Sequence, residues 1–396
     1  MRSHSLFFAI KTAILTGICT VIMVACGGGG GNTSSPVVTD VPPATSGTTP
    51  TSGTTPTSTP TPTPTSAPIN PALAVSAPCD IYAAGGTPCV AAHSTVRALF
   101  SNYQGPLYQV ERASDNTTAD ITTLQAGGYA NAAAQDNFCA GTSCGIVTVY
   151  DQTRNHNDLH VSAEGPAGAA DSPAVANALP VTVAGHAVYG IYVAKGVGGY
   201  RNIRAVGTAR DGQAEGMYMV ASGTHVNNDC CFDYGNTEQP VIKDTGNGHM
   251  DAINLSAHCL KNTTCYGNGP WVQAELENGL YQGTSANLTN QSVPYDFVTA
   301  MLKNDGQTHF ALKSGNAQTG GLAVQYDGPL PSGGYMPMQQ EGGIVLGVGG
   351  DNSRRSVGSF FEGAMTAGYP SDQAEAAVQA NIVAAGYTGD SAGGKP

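Results

Sequence analysis

The segment Trp271-Val-Gln-Ala-Glu-Leu-Glu-Asn278 alternates between two kinds of side chain along its whole length. Successive side chains of a β-strand point to opposite faces, so the alternation predicts a strand over 271–279 with one apolar and one polar face. The apolar face consists of Val272, Ala274 and Leu276. The other face consists of Trp271, Gln273, Glu275 and Glu277. Two carboxylates beside an indole are typical of a sugar-binding cleft, although a solvated outer face gives the same pattern by chance.

The rest of the chain is rich in strand and turn signals. There are 52 glycines and only 11% charged residues, a bias that short strands joined by tight turns produce. Further strands are predicted at 145–150, 180–193, 216–221, 308–313, 321–326, 343–348 and 359–365. We therefore expect an all-β fold, a β-sandwich or jelly roll, with a few short peripheral helices.

Two helices are predicted at the edges of this fold. The first spans 88–103, where Thr87 is the N-cap, Pro88 is the first helical residue, and apolar residues recur at helical spacing. The second spans 372–385, with a capping box formed by Asp372 and Glu375, and Gly386 ends it.

Residues 1–26 are typical of a bacterial lipoprotein signal peptide. A basic start precedes an apolar run that is too short to remain as a membrane span, and the run ends at Met23-Val-Ala-Cys26. Cleavage before Cys26 would leave its sulfur lipidated, so we expect an extracytoplasmic protein held to a membrane or cell surface by this lipid alone. Gly27 favours the outer membrane of a two-membrane cell. Ordinary secretion with cleavage after a small residue is the alternative.

Composition divides the remaining chain. Residues 27–71 are rich in Gly, Thr, Pro and Ser, with no aromatic residue, and predict a disordered linker that could tether a domain at a distance or act as a plain spacer. Residues 72–390 predict one folded domain, and 391–396 a disordered tail. We expect a monomer. The net charge of −12 argues against nucleic acid as a partner.

The cysteines agree with export. Of ten, Cys19 and Cys26 lie in the signal region, and the other eight are an even number. Their order suggests the pairs Cys79–Cys89, Cys139–Cys144, Cys230–Cys231 and Cys259–Cys265, although spacing alone does not fix the connectivity. The CxxC spacing of zinc sites is missing, so we expect no metal. A disulfide between the neighbours Cys230 and Cys231 would form a rigid apolar platform for a sugar ring; pairing elsewhere, or a bridge that only stiffens a turn, is the alternative.

A second acid follows an apolar segment. Residues 343–348 predict a buried strand, and Gly349-Gly-Asp-Asn352 comes directly after it. The strand would deliver Asp351 to the rim of the core, where an apolar setting raises a carboxyl pKa and suits a general acid. Arg354 and Arg355 would act in the opposite direction if they point inward, and an ordinary Asp in a Gly-rich turn remains the alternative.

Eight blocks of the sequence, in order over residues 77–387, resemble the catalytic domain of glycoside hydrolase family 54. The blocks are Pro78-Cys-Asp-Ile-Tyr82, Thr87-Pro-Cys-Val-Ala-Ala-His-Ser94, Thr148-Val-Tyr-Asp-Gln152, Ala214-Glu-Gly-Met-Tyr218, Asp229-Cys-Cys-Phe-Asp-Tyr-Gly-Asn236, Gly248-His-Met250, Gly269-Pro-Trp271 and Leu346-Gly-Val-Gly-Gly-Asp-Asn-Ser353. The double cysteine and the Gly-Gly-Asp-Asn-Ser block are the specific ones. The resemblance implies a β-sandwich α-L-arabinofuranosidase that retains the configuration of the sugar and uses no cofactor.

The resemblance also implies a role for individual residues. Glu277 matches the nucleophile of the family and Asp351 its acid/base. The sugar-binding positions are Cys230 and Cys231 as a vicinal disulfide, Glu275, Asn278 and Gly350. Cys79–Cys89 and Cys139–Cys144 match the two other bridges of the family, while Cys259–Cys265 is an addition of this chain. The substrate implied is an arabinose-containing polysaccharide or oligosaccharide.

The chain departs from the family at the sugar pocket. A sugar-contacting Trp of the family has no counterpart between Met250 and Gly269, Glu275 replaces a shorter Asp, and Gly279 replaces a second Asn. The C-terminal arabinose-binding module of fungal members is expected to be absent. These departures leave two alternatives, a non-catalytic arabinan- or arabinoxylan-binding protein and an exo-glycosidase with another pentose preference, such as a β-xylosidase.

Overall fold

The computed structural model describes residues 76–239, 246–259, 265–284 and 289–393. They belong to one compact unit, Ser66–Pro396. The predicted signal peptide 1–26 with its lipidated Cys26, the linker 27–71 and residues 394–396 of the tail lie outside the described residues. Among those described, no helix is both long and apolar enough to cross a membrane. Packing extends one residue past the predicted domain boundary, because Ser391 is buried and its hydroxyl contacts that of Ser222 at 2.8 Å.

The described elements are mostly strands. In chain order they are α1 (Pro78–Ala84), β1 (Cys89–Ser94), β2 (Pro106–Arg112), β3 (Thr118–Thr122), α2 (Ala132–Phe138), β4 (Cys144–Val149), β5 (Leu159–Val161), β6 (Ala174–Val175), β7 (Pro180–Val183), β8 (His186–Tyr189), β9 (Ile191–Val193), β10 (Tyr200–Asn202), β11 (Glu215–Ala221), β12 (Asp233–Thr237), β13 (Asp251–Ser256), β14 (Trp271–Glu275), β15 (Leu280–Tyr281), β16 (Val298–Asn304), β17 (His309–Asn316), β18 (Thr319–Pro329), β19 (Gly343–Leu346), β20 (Gly358–Ala367), α3 (Asp372–Ala384) and β21 (Tyr387–Thr388).

Two large antiparallel sheets form a sandwich, as predicted. A seven-stranded sheet has the order β1-β20-β11-β16-β17-β18, with β9 also paired to β20. An eleven-stranded sheet has the order β15-β14-β13-β12-β19-β10-β5-β4-β2-β3, with β6 also paired to β4. Their inner faces share one core, in which the Tyr234 ring of β12 lies 5.3 Å from the Phe360 ring of β20.

The alternation over 271–275 is confirmed by the strand register. In β14, Glu275 pairs with Ala252 and Gln273 pairs with Asn254, so these four side chains share the outer face of the eleven-stranded sheet. Val272 and Ala274 point into the core with Ile253 and Leu255. The alternative of a solvated outer face is wrong, since Gln273 is fully buried and Glu275 is 7% exposed.

The predicted helix over 88–103 is wrong. Cys89–Ser94 is β1, which pairs with β20, and His93 lies opposite Gly363. The helical spacing of apolar residues in this segment arises from a buried strand followed by a buried turn, and strand pairing decides the local conformation. The helix at this end of the domain is the preceding segment, Pro78–Ala84.

The single strand predicted over 180–193 is also wrong. Ala184 and Gly185 both have positive φ, 49° and 81°, and close a two-residue hairpin between β7 and β8. The chain then continues into β9 of the seven-stranded sheet.

The helix predicted over 372–385 is confirmed, but its cap differs. Ser371 is the N-cap, and its side chain accepts from Ala374 N at 3.2 Å. Asp372 and Glu375 instead accept hydrogen bonds of 2.6 Å from the Lys313 ammonium. The two acids of the predicted capping box therefore anchor α3 to β17.

Candidate active site

The end of β14 carries the first group of predicted site residues. The strand ends at Glu275, and Glu277 and Asn278 then adopt left-handed φ angles of 63° and 57°. The predicted position of Glu277 on the strand is therefore wrong, because two left-handed residues turn the chain there. Glu277 N donates to Glu275 Oε1 at 3.0 Å, which keeps both acids at one end of the sheet. Glu277 is 7% exposed.

The turn after β19 carries the second group. Gly349 O accepts from Asn352 N at 3.0 Å, and Asp351 Oδ1 accepts from Ser353 N at 2.8 Å. Asp351 is half-buried. A Cβ atom built at Gly350 would collide with Glu238 Oε2 and with the Met250 sulfur, so only glycine fits at that position.

The vicinal disulfide Cys230–Cys231 lies between these two groups. Cys231 Sγ lies 4.0 Å from Glu275 Oε2, and a Cβ built at Gly349 would lie 3.4 Å from the same sulfur. Cys231 N also donates to Ser353 O at 3.4 Å. The structure therefore brings the segment of Glu277 and the turn of Asp351, 74 residues apart in sequence, around one disulfide.

Arg201 is a site residue that the sequence reasoning missed. The residue is 5% exposed, and its guanidinium donates hydrogen bonds of 2.6 Å to Gly349 O and to Gly350 O. Its Nε donates to Ser162 Oγ at 3.3 Å, and Ser162 Oγ donates to Asn352 Oδ1 at 2.7 Å. Arg201 thus fixes the carbonyl groups of the two residues that directly precede Asp351.

Buried acids surround this guanidinium. Asp233 and Glu238 are fully buried near it, and sequence patterns gave no sign of either. Burial, with the charges of Asp233 and Glu238 second, raises the pKa of Glu275 well above its usual range. Burial also raises the pKa of Asp233, although the Asn254 amide, which donates to it at 2.6 Å, partly opposes this. Burial therefore favours the neutral form of Glu275, and in that form the carboxyl can donate a hydrogen bond.

A metal does not fit the sulfur cluster at the site. Cys230, Cys231 and Glu275 bring their ligand atoms within 4.8 Å of one another. The two sulfurs are joined in a disulfide and offer no thiolate, which is the form of cysteine that binds zinc.

The other three disulfides match the predicted pairs. Cys79–Cys89, Cys139–Cys144 and Cys259–Cys265 have Cα–Cα distances of 5.5, 5.9 and 6.0 Å. These distances are ordinary for disulfides.

Trp271 is buried at the start of β14. It is 4% exposed, and its indole N–H donates to Tyr266 O at 2.8 Å.

At Gly279, a Cβ atom would lie 2.9 Å from the buried Tyr281 ring, so the aromatic ring occupies the space that a larger residue would need. Tyr281 OH donates to Tyr335 OH at 3.0 Å, and Tyr335 OH donates to Glu277 O at 2.9 Å.

Comparison with known proteins gives concordant matches. The family model described as "Alpha-L-arabinofuranosidase B, catalytic" matches residues 78–388. Alpha-L-arabinofuranosidase B of Emericella nidulans is 52% identical over 325 residues, which cover 80% of this chain and 63% of that protein. An arabinofuranosidase/B-xylosidase of Trichoderma koningii is 52% identical over 327 residues, covering 80% and 64%. The chain thus spans less than two thirds of the length of these relatives.

Two solved structures are similar over most of this chain. A GH54 α-L-arabinofuranosidase soaked with a cyclic sulfate inhibitor has a TM-score of 0.75 and 48% identity, covering 79% of this chain and 66% of that one. An arabinofuranosidase complexed with arabinofuranosyl-α-1,2-xylobiose has a TM-score of 0.75 and 48% identity, covering 78% and 65%.

Proposed function

The chain belongs to the alpha-L-arabinofuranosidase B catalytic family, and from that membership we propose that it is an exo-acting, retaining α-L-arabinofuranosidase. It would release terminal arabinofuranose from arabinose-containing plant polysaccharides or oligosaccharides. The observation that carries the proposal is the meeting of the Glu277 turn and the Asp351 turn around the Cys230–Cys231 disulfide.

The reaction is a double displacement. The Glu277 carboxylate attacks the anomeric carbon while protonated Asp351 transfers its proton to the glycosidic oxygen, which leaves with the remainder of the substrate. A covalent arabinosyl ester forms on Glu277. Asp351 then removes a proton from water, the water oxygen displaces Glu277, and arabinose leaves with its original configuration. This route requires the two carboxyl groups about 5–5.5 Å apart, whereas inversion requires about 6.5–9.5 Å.

The surrounding residues support this chemistry. Burial raises the pKa of Glu275 and favours its neutral form, which would donate a hydrogen bond to a sugar hydroxyl. The Cys230–Cys231 disulfide would pack against the sugar ring. Asn278 and Gly350 would complete the sugar contacts at the two turns. Because Gly350 has no side chain, the backbone and the ligand can approach each other closely there.

The altered pocket supports a second candidate, an exo-glycosidase with another pentose preference. The segments 246–259 and 265–284 contain Trp271 alone as a tryptophan, and that residue is buried. The Trichoderma koningii relative carries a name that includes B-xylosidase. A non-catalytic carbohydrate-binding protein is the remaining alternative, and the presence of both Glu277 and Asp351 argues against it.

A panel of 4-nitrophenyl glycosides separates these candidates. We expect the α-L-arabinofuranoside to be hydrolysed with the highest kcat/KM. Preference for the β-D-xyloside would support the second candidate. Binding of arabino-oligosaccharides without hydrolysis of any member of the panel would support the binding protein and contradict the proposed enzyme.

We further propose that this is the bacterial lipoprotein form of the family, anchored outside the cytoplasm through Cys26. The lipobox-like Met23-Val-Ala-Cys26 supports this location, and four disulfides fit an oxidising compartment. Metabolic labelling with palmitate, followed by membrane fractionation, tests it. We expect labelled protein in the membrane fraction and, for Cys26→Ser, no label; unlabelled wild-type protein in the soluble fraction would contradict the anchor.

A further inference from the structure

A cavity of about 610 Å³ opens beside the candidate active site. Cys230 and Ser353 form the part of its wall that adjoins the site. Residues 167–169 form another part, and Ala167 N donates to Asp351 O at 3.0 Å. The cavity is therefore bounded by the same turn that carries Asp351.

The chemistry of the reaction indicates which part of the substrate this cavity would receive. The general acid must reach the glycosidic oxygen, so the part of the substrate that leaves with that oxygen lies next to the acid. Ser353, which lines the cavity, lies only two positions after Asp351 in the same turn. The leaving-group saccharide is therefore the part of the substrate placed to enter the cavity.

The lining of the cavity is cationic. The three positively charged side chains Lys195, Arg354 and Arg355 line it, against the single acid Asp229. This departs from the chain as a whole, which has 28 acidic and 16 basic residues.

Two of these cations already have partners. Lys195 Nζ lies 3.0 Å from Asp229 Oδ2, and Arg354 Nη1 donates to Ala170 O at 2.7 Å. Arg355 is exposed, and no carboxylate in the described part of the chain lies within ion-pair distance of it. Of the three positively charged side chains, the exposed Arg355 is therefore the one best placed to contact an anionic ligand.

The lining also lacks the features of a neutral-sugar site. None of its residues is Trp, Tyr or Phe, the side chains on which neutral sugar rings stack. Gly168 and Gly196, with the alanines at 167 and 169, leave space for a ring between the charged groups. Arginine recognises carboxylates through paired N–H donors.

We propose that this cavity is a leaving-group subsite for a saccharide that carries a carboxylate, that is, a uronic acid residue next to the arabinosylated one. The proposal rests on the proposed function and narrows its substrate to arabinofuranose borne on an acidic polysaccharide. Arg355 supplies the main contact to the carboxylate, and Lys195 lines the same cavity.

The test compares binding of two probes to the full chain by calorimetry at low salt. Tri-galacturonic acid carries the carboxylates, and xylotriose is the neutral counterpart. Arg355→Gln removes the unpaired charge. Arg154→Gln is the matched control, because Arg154 is also exposed but does not line the cavity. Hydrolysis of 4-nitrophenyl α-L-arabinofuranoside by the same wild-type preparation is measured separately.

We expect wild type to bind tri-galacturonic acid about fivefold more tightly than xylotriose, the upper end of the effect of one exposed charge pair. Arg355→Gln and 0.5 M NaCl should each abolish this preference, and Arg154→Gln should keep it. Equal binding of the two probes by wild type, or equal preferences in Arg355→Gln and Arg154→Gln, would overturn the subsite. Failure to hydrolyse the aryl arabinofuranoside would overturn the proposed function instead, since the binding readout does not depend on turnover.

Discussion

The guanidinium of Arg201 lies 2.6 Å from the carbonyl oxygen of Gly350, the residue immediately before Asp351. The second arm of the same guanidinium holds Gly349 O at the same distance. Two charge-assisted hydrogen bonds from one planar, buried group fix the turn in two directions. The position of the proposed acid/base is therefore set by a residue on β10, the strand paired with β19, which leads into the Asp351 turn.

Arg201→Lys tests this relationship. The ammonium keeps the positive charge but cannot bridge both carbonyls, so the turn should loosen and kcat should fall by about 10- to 100-fold. The loss should be larger for an oligosaccharide than for an aryl arabinofuranoside, because a poor leaving group depends more on proton donation. Steady-state kinetics on both substrates provide the measurement.

The matched control is Arg97→Lys. Arg97 is also buried and pairs with Glu362 through two nitrogens, but it contacts the seven-stranded sheet. We expect Arg97→Lys to lower stability without changing the ratio of kcat for the oligosaccharide to kcat for the aryl arabinofuranoside. If both variants change that ratio equally, Arg201 has no special effect on Asp351.

The vicinal disulfide should affect substrate binding more than folding. The double variant Cys230→Ser/Cys231→Ser removes the platform, and we expect KM for the aryl arabinofuranoside to rise about tenfold. A ring closed between neighbours restricts the unfolded chain very little, so the melting temperature should change slightly. Cys139→Ser/Cys144→Ser should show the reverse, a lower melting temperature and an unchanged KM. An unchanged KM in the first variant would rule out the platform.

Gly279 should tolerate no side chain. Adding a Cβ by Gly279→Ala would press on the Tyr281 ring, which supports Glu277 through Tyr335. We expect kcat/KM to fall about tenfold and stability to fall by about 1–3 kcal/mol from overpacking. Gly321→Ala is the control, because nothing lies within 4 Å of its Cβ position. Wild-type kinetics in Gly279→Ala would show that the Tyr281 ring moves aside without disturbing Glu277.

Stability should fall between about pH 4 and pH 7. Burial raises the pKa of Asp251 to about 7, and burial with the charge of Asp251 raises that of its neighbour Glu215. In that window the unfolded state loses the proton while the folded state keeps it, so the free energy of unfolding decreases as pH rises, by up to about 1.4 kcal/mol per pH unit per group.

Urea unfolding from pH 4.5 to 7.5 measures this slope. Asp251→Asn removes one titrating group and should make the slope shallower, whereas Asp296→Asn, at an exposed acid, should leave it unchanged. A stability that rises over this range in wild type would contradict the direction assigned to Asp251.

Local sequence pattern predicted the sandwich and one face of the site. Alternation in β14 placed Glu275 correctly, because each sheet buries one face and the period of two is strict within a strand. The same rule failed two residues later, since Glu277 lies in a left-handed turn. Alternation cannot predict where a strand ends, but Asn278-Gly279 is a turn dipeptide and could have signalled the positive φ of Asn278.

Long-range contacts could not be predicted from the sequence. Arg201 contacts carbonyls almost 150 residues away, and nothing local marks it as a partner of Asp351. The spacing of apolar residues favours a helix in the segment 89–94. The strand that decides its conformation, β20, lies some 270 residues downstream. The hairpin at Ala184 could have been found, since Gly185 inside an apolar run is a turn signal.

The central claim, that Glu277 is the nucleophile and Asp351 the acid/base, is tested most directly by trapping the covalent intermediate. The full chain would be incubated with a furanose-configured cyclic sulfate, which opens on attack by a nucleophilic carboxylate, and digested for peptide mapping by mass spectrometry. We predict one label per chain, an ester on Glu277, and no label on Glu277→Gln. An ester on Glu275, Asp351 or any other residue, or undiminished labelling of Glu277→Gln, would contradict the account.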